Sequence, residues 1–244
     1  MTTQQTAQVP AAGRAGLPLA AVLLACLAAG CTPAHDLAAG ASRTPAPASV
    51  AVRPPAVGQE WIYQVRNLYN QRIVDEITER VVAVDPLIRI QRSSRAGGTL
   101  ADEVHASWGM VIQDSHWNYP LTFSTPLPAW PVHYDLGRST TYSDRYELLA
   151  APDYSAYWSL TITPRDWVSI RVPAGDFTAV HFDNVINFQN EDLTVIESQR
   201  LESVWFAPRI GRWVLRRSHG TYYLPGRGGE MLEDYLQWEL VAWR

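Results

Sequence analysis

Apolar and polar residues alternate with a period of two through the last three-quarters of this chain, and that pattern limits the fold more than any other feature. In TAVHFDNVINF, Val180, Phe182, Ile186 and Phe188 fall on one face, while His181, Asp183 and Asn187 fall on the other. In VHASWGMVI, Val104, Ala106, Trp108, Met110 and Ile112 share a face opposite His105, Ser107 and Gly109. In LEDYLQWELVAW, Leu232, Leu236, Trp238, Leu240 and Ala242 alternate with Glu233, Tyr235, Gln237 and Glu239. Successive side chains of a strand point to opposite faces of its sheet, so this spacing marks strands with one buried side. The pattern recurs at 61–65, 158–162 and 201–205, and the segments are divided by turn signals such as VDP, AGG, VPAGD, APRIG and LPGRGG. No segment carries a helical period. One polar and one apolar face predict an antiparallel sheet with a single core side. The expected fold is all-β: a strongly curved antiparallel sheet, a half-barrel or open barrel of about nine to eleven strands, in one domain over residues 56–244.

The longest stretch without this pattern is DSHWNYPLTFSTPLPAWPVHYDLG, residues 114–137, with four prolines and the aromatics Trp117, Tyr119, Phe123, Trp130 and Tyr134. So long a loop in a compact domain is uncommon. Its aromatics need an apolar place to go, so it reads either as a cover completing the core or as a lid over a cavity.

Both cysteines, Cys26 and Cys31, lie near the start in VLLACLAAGCTPA. A disulfide there would close a small loop within an alanine-rich run, and a metal site would have only His35 nearby. The surroundings suggest a different chemistry. Residues 1–15 are polar with one cation, Arg14, and GLPLAAVLLACLAAG at 16–30 is apolar and rich in small side chains, in the order of a secretory n-region and h-region. The run ends in LAAGC, which resembles the bacterial lipobox. That resemblance implies a signal peptide over 1–30, cleavage after Gly30, and lipid on the Cys31 thiol and the new amino terminus. An ordinary secretory signal or an uncleaved anchor is the alternative. The following TPAHDLAAGASRTPAPASVAVRPP has almost no large apolar residues and reads as a disordered tether over 31–55. Thr32, where an aspartate would retain such proteins in the inner membrane, implies the outer membrane, periplasmic side.

Two further stretches, VPAGDFTAV (172–180) and VWFAPRIGRWVLRR (204–217), resemble a G-x-F-x-A and W-F-A-P-x-x-G pattern of bacterial periplasmic lipoproteins. The resemblance covers about residues 155–225 and implies a strongly bent half-barrel; it carries structural punctuation and no chemistry.

The whole chain has a net charge of −4, and removing residues 1–30, which hold one arginine and no acid, leaves −5. This mild acidity argues against a nucleic-acid partner. The six histidines form no H-x-x-x-H or H-E-x-x-H spacing, and there is no G-x-S-x-G elbow or P-loop. Asp114 and His116, a D-x-H pair, could join His133 in a small metal or acid–base site, against a default of surface placement. Glu76, Glu79, Glu191, Asp192 and Glu197 read as solvated; Arg216 and Arg217 beside His219 read by default as a solvated strand face, the alternative being a ligand head group or a carboxylate partner. No catalytic residue, metal or cofactor is expected; a hydrolase acting on envelope material is a distant third reading, which a cleft gathering two or more of His105, Asp114, His116 and His133 would favour.

All ten tryptophans lie after residue 60. Aromatics at this density suit either a tryptophan-rich core or a concave face binding an amphipathic molecule. The expected function is therefore a non-catalytic, lipid-anchored periplasmic protein binding a lipid-like ligand for envelope maintenance, with Trp108, Trp117, Trp130, Phe182 and Trp238 as candidate ligand contacts. The alternative is a scaffold lipoprotein that binds a protein partner of an envelope complex, its interior filled by its own side chains.

Overall fold

The computed structural model describes residues 40–117, 120–189, 197–223 and 230–244. The described residues form fifteen strands and one 3-10 turn, Pro208–Ile210. The strands are β1 (Ala41–Arg43), β2 (Glu60–Asn67), β3 (Arg72–Ala83), β4 (Ile88–Ser94), β5 (Gly98–Thr99), β6 (Glu103–Ser107), β7 (Met110–Asp114), β8 (Leu121–Pro128), β9 (Thr140–Leu148), β10 (Ala151–Val172), β11 (Gly175–Gln189), β12 (Glu197–Ala207), β13 (Arg212–Tyr223), β14 (Glu230–Leu232) and β15 (Leu236–Trp243). All pairings are antiparallel. Following the hydrogen bonds from β2 through β3, β4, β6, β7, β8, β9, β10, β11, β12, β13 and β15 returns to β2, so twelve strands close into a barrel. β1, β5 and β14 each pair with one strand of this ring.

The all-β, strongly curved antiparallel sheet is as expected, but the curvature runs on to closure. The edges meet where β9 pairs with the first half of β10, from Thr140↔Ile162 to Glu147↔Ser155. Closure pairs the N–H and C=O groups that a half-barrel would leave bare along two edges. Bulges at Pro164/Asp166, Val81/Ala83, Trp205/Phe206 and Leu240/Ala242 bend the strands enough to do this. Pro164, which has no N–H to give a ladder, sits at the first of them.

The stretch 114–137 is not one loop. Leu121–Pro128 forms β8, whose register against β7 jumps between Val111↔Leu127 and Gln113↔Thr122. Pro126 falls in that gap, and there the Thr125 N–H and Ser124 hydroxyl donate to the Asp144 carboxylate instead. Beyond β8, Trp130 stacks on Phe206 with ring centroids 4.5 Å apart, and Tyr134 packs against Trp167. This part behaves as a cover on the core.

Residues 41–55, within the stretch expected as a tether, lie against the barrel. β1 pairs with β10, Thr44 N–H donates to Trp167 O at 2.8 Å, and Arg53 N–H donates to Pro208 O at 2.9 Å. Val50 and Val52 pack on the core. Gly211, at φ 67°, faces this segment so closely that a Cβ there would lie 2.5 Å from Arg53 O, which is why no larger residue fits the turn.

Outward positions are polar, as with Glu76, Thr78 and Arg80 on β3 and Arg89, Gln91 and Ser93 on β4, the reverse of a lipid-facing barrel. The interior is apolar for most of its length, with Tyr63, Ile90, Phe182, Phe206 and Leu240 fully buried, but it is crossed by charge.

Candidate functional site

Four strands place a charged side chain on their inward stripe. On β3, Glu79 lies between Ile77 and Val81; on β4, Arg92 follows Ile88 and Ile90; β6 contributes Glu103 and His105; β13 contributes Arg212. Strand geometry gives these residues no choice of face, and closure brings them together across the lumen. Arg212 Nε and Nη2 donate to Glu79 Oε2 at 3.0 and 2.7 Å, and its Nη1 and Nη2 donate to Glu103 at 2.8 and 2.6 Å. Arg92 Nε donates to Glu79 Oε1 at 3.1 Å, and its Nη1 donates to the Ser115 carbonyl and hydroxyl. The Arg212 guanidinium also lies 5.5 Å from the Trp61 ring and 5.8 Å from that of Trp213.

The D-x-H pair joins this group. His116 Nδ1 is 2.9 Å from Asp114 Oδ1, and Nε2 is 3.1 Å from Glu79 Oε1 and 3.6 Å from Glu103 Oε2. Both ring nitrogens thus face carboxylate oxygens. At His105, Nδ1 accepts from the Gly109 N–H and Nε2 lies 2.5 Å from Glu103 Oε1. Nearby, Arg216 donates to Glu202 at 2.6 Å, and the Asn184 amide donates to the other Glu202 oxygen. Glu79, Glu103, Asp114 and Glu202 thus face Arg92, Arg212, Arg216 and His116.

These contacts govern the titrations. Burial pushes the Glu79 carboxyl up, but Arg212, His116 and Arg92 together hold it down to about 2. Burial likewise opposes ionisation of Glu103 and Asp114, and Arg212 for the first and His116 for the second hold them well below the usual carboxylate range. Tyr63, whose hydroxyl donates to Trp213 O at 2.9 Å, is pushed well up by burial and by Glu79.

Glu79, Glu103 and His116 offer ligand atoms within 4.8 Å of one another, the donor set of a divalent-cation site. Each Glu79 and Glu103 oxygen already faces an arginine or histidine nitrogen, and a cation would have to displace the Arg212 guanidinium from both. The group acts as an ionic staple joining β3, β6 and β13 through the lumen.

Beside the staple lies a cavity of about 90 Å³, lined on its polar side by Asp114, His116, Asn184 and Arg216 and on its apolar side by Trp130, Trp158 and Leu160. Arg216 Nε and Asn184 Oδ1 have no protein partner. The space suits about three water molecules.

Of the expected ligand contacts, only Trp130 lines this cavity. Phe182 is fully buried in the core, and Trp238 packs under the Arg216 guanidinium at 5.5 Å. Trp117 donates to Asp114 and lies under Arg200 at 3.4 Å, and Trp108 donates to Arg53 O beside His105. Each is thus engaged within the fold. His133 is exposed and apart from the cluster, and His219 packs on Tyr235. Glu79 and Arg216, read as solvated, are buried. Glu103, Arg92 and Arg212 were not singled out, although a charge on an apolar stripe was visible for Glu79 and Arg92. Gly30 and Cys31 lie outside the described residues.

The architecture defines a class: a closed twelve-stranded antiparallel barrel, polar outside, with a lumen stapled by buried charge. Two solved structures share the fold. A Parabacteroides distasonis protein described as a candidate lipoprotein is 11% identical, aligns over 80% of this chain and 99% of its own, and superposes with a TM-score of 0.54. A Bacteroides fragilis candidate exported protein with a YmcC-like fold is 14% identical over 80% of this chain and 100% of its own, with a TM-score of 0.52. These likenesses establish the fold, which is YmcC-like. No family model and no curated protein matches the sequence.

Proposed function

We propose that this chain is a lipid-anchored envelope protein, held through Cys31 at the periplasmic face of the outer membrane, whose barrel serves without catalysis as a rigid module for a protein partner. One observation carries the choice between ligand carrier and scaffold: among the described residues, the lumen beside the ionic group holds a cavity of only about 90 Å³. That volume is well below the roughly 300–1,000 Å³ of ligand pockets, and seven of the cavity's eighteen lining residues are charged, imidazole or amide. An acyl chain would have to enter beside buried ion pairs and separate them, at a cost of several kcal/mol. The anchor rests on LAAGC and the location on Thr32, and the lipoprotein description of one structural neighbour is in line with the anchor.

The reading is tested by native mass spectrometry of the acylated protein together with in-cell photocrosslinking from Tyr69 and Ile73, exposed near the β2–β3 turn. A discrete crosslinked protein and no stoichiometric non-covalent lipid is the expected result. One bound lipid per chain, with no crosslinked protein, would return the molecule to the carrier class.

A further inference from the structure

The barrel has two distinct ends, because its strands alternate in direction. One end gathers the starts of β2 and β4, the ends of β3 and β15, the Pro208–Ile210 turn, the Trp108–Gly109 turn and the segment before β2. The other carries the β2–β3 and β9–β10 turns. The chain enters at the first end. Ala41 pairs with Ile170 near the finish of β10, Gly40 lies beside Arg171 O, and Arg53 rests against Pro208.

We infer that this entry end is seated on the bilayer surface, with the opposite end directed away from it. The inference rests on the Cys31 anchor proposed above. Gly40 follows Cys31 by nine residues, a span of at most about 30 Å fully extended and about 15–18 Å for a flexible chain. Ten residues of strand tilted by about 40° rise roughly 25 Å along a barrel axis. Seating the opposite end on the membrane would stretch those nine residues close to their limit and forfeit their conformational entropy; seating the entry end leaves them relaxed.

The surface at the entry end suits an interface between headgroups and acyl chains. Val57 is 63% exposed, Val84 43% and Leu87 37%, and the Gly58–Val81 hydrogen bond sets Val57 beside the end of β3. Arg53, over the Trp243 ring, and Arg209, over Phe177, have no carboxylate partner among the described residues. Aliphatic tips with free arginines and an aromatic ring bind an anionic headgroup layer. The opposite end also exposes apolar residues, Tyr69, Ile73 and Val74, so hydrophobicity does not choose between the ends. The anchor's point of entry does.

The test uses the full acylated chain in phosphatidylethanolamine–phosphatidylglycerol vesicles. Single cysteines are introduced as Val57→Cys, Val84→Cys or Ile73→Cys and labelled with an environment-sensitive fluorophore, with Cys31 itself blocked by lipid. Quenching by spin-labelled lipids is expected to be at least threefold stronger at 57 and 84 than at 73. Quenching at 73 equal to or above that at 84, in protein that floats with the vesicles and carries acyl label, overturns the orientation and leaves the anchor standing. Protein without acyl label that stays free of the vesicles overturns the anchor and the orientation with it.

Discussion

Arg212→Met removes the guanidinium that donates to both Glu79 and Glu103 while keeping most of the side-chain volume. All three residues are almost wholly enclosed, with side-chain exposures of 1–3%. Breaking a buried ionic group by deleting one member costs about 3–5 kcal/mol, because the remaining charges stay desolvated and unpaired. For a barrel of this size that is a fall in Tm of about 6–20 °C. The loss should depend on pH, with a sign set by the folded-state titrations. In the native chain Glu79 is held down to about 2, below its ordinary value, so its contribution is complete above about pH 5 and drains as pH falls toward 2. In the variant burial outweighs the remaining partners and pushes these carboxyls above their unfolded values. Their penalty then grows as pH rises through the raised values. The gap between native and variant proteins is therefore widest near pH 7 and narrows toward pH 4. Urea unfolding followed by tryptophan fluorescence at both pH values measures it. A gap below 1 kcal/mol at pH 7, or one equal at pH 4, would refute the staple. Combining Arg212→Met with Glu103→Gln should recover at least half of the loss, since Glu79 keeps Arg92 and His116 and Glu103 no longer carries a charge.

Three further outcomes follow from the same geometry. Isothermal titration of the native chain with Zn²⁺ should give no heat from the lumen, whereas Arg212→Met, with Glu79, Glu103 and His116 freed, should gain a 1:1 site; equal binding by both would show that the guanidinium does not occupy the donor set. Gly211→Ala places a Cβ 2.5 Å from Arg53 O at φ 67° and should lower stability by about 1–3 kcal/mol, read as a shift in the urea midpoint at constant slope. Cys31→Ala should abolish palmitate labelling and leave uncleaved precursor; processing to the native size would show that LAAGC is not the acceptor.

Strand existence was legible because a period of two admits few alternatives, and the segments around Trp61, Val104, Phe182 and Trp238 all became strands. Strand extent was less so. β10 runs for 22 residues, yet only Trp158–Ile162 stood out, because Pro164 reads as a terminator unless the bulge that accommodates it is known. β8 was hidden for a similar reason: its prolines tolerate a ladder gap that Asp144 fills from another strand. Closure itself is a property of register. Nothing in the local sequence of β9 or β10 says that Thr140 will face Ile162, and a half-barrel has the same alternation.

The site shows where a local reading ends. Glu79 looked solvated as a member of a charge-rich segment, but its neighbours two residues away, Ile77 and Val81, put it on the buried stripe. An acid on such a stripe implies a partner, since its burial is costly alone. Arg92, in step with Ile88 and Ile90, makes the same statement with the opposite sign. The sequence thus contains both halves of a demand for neutralisation, and Arg92 opposite Glu79 on the adjacent strand meets part of it. The rest is met by Arg212, more than a hundred residues away, with β2 and β15 between its strand and β3 in the sheet. Only a lumen narrow enough for side chains to meet across it can join them. Among the described residues, the buried charges that staple the strands also occupy lumen beside a cavity of only about 90 Å³, so the staple and the small size of that cavity have one cause.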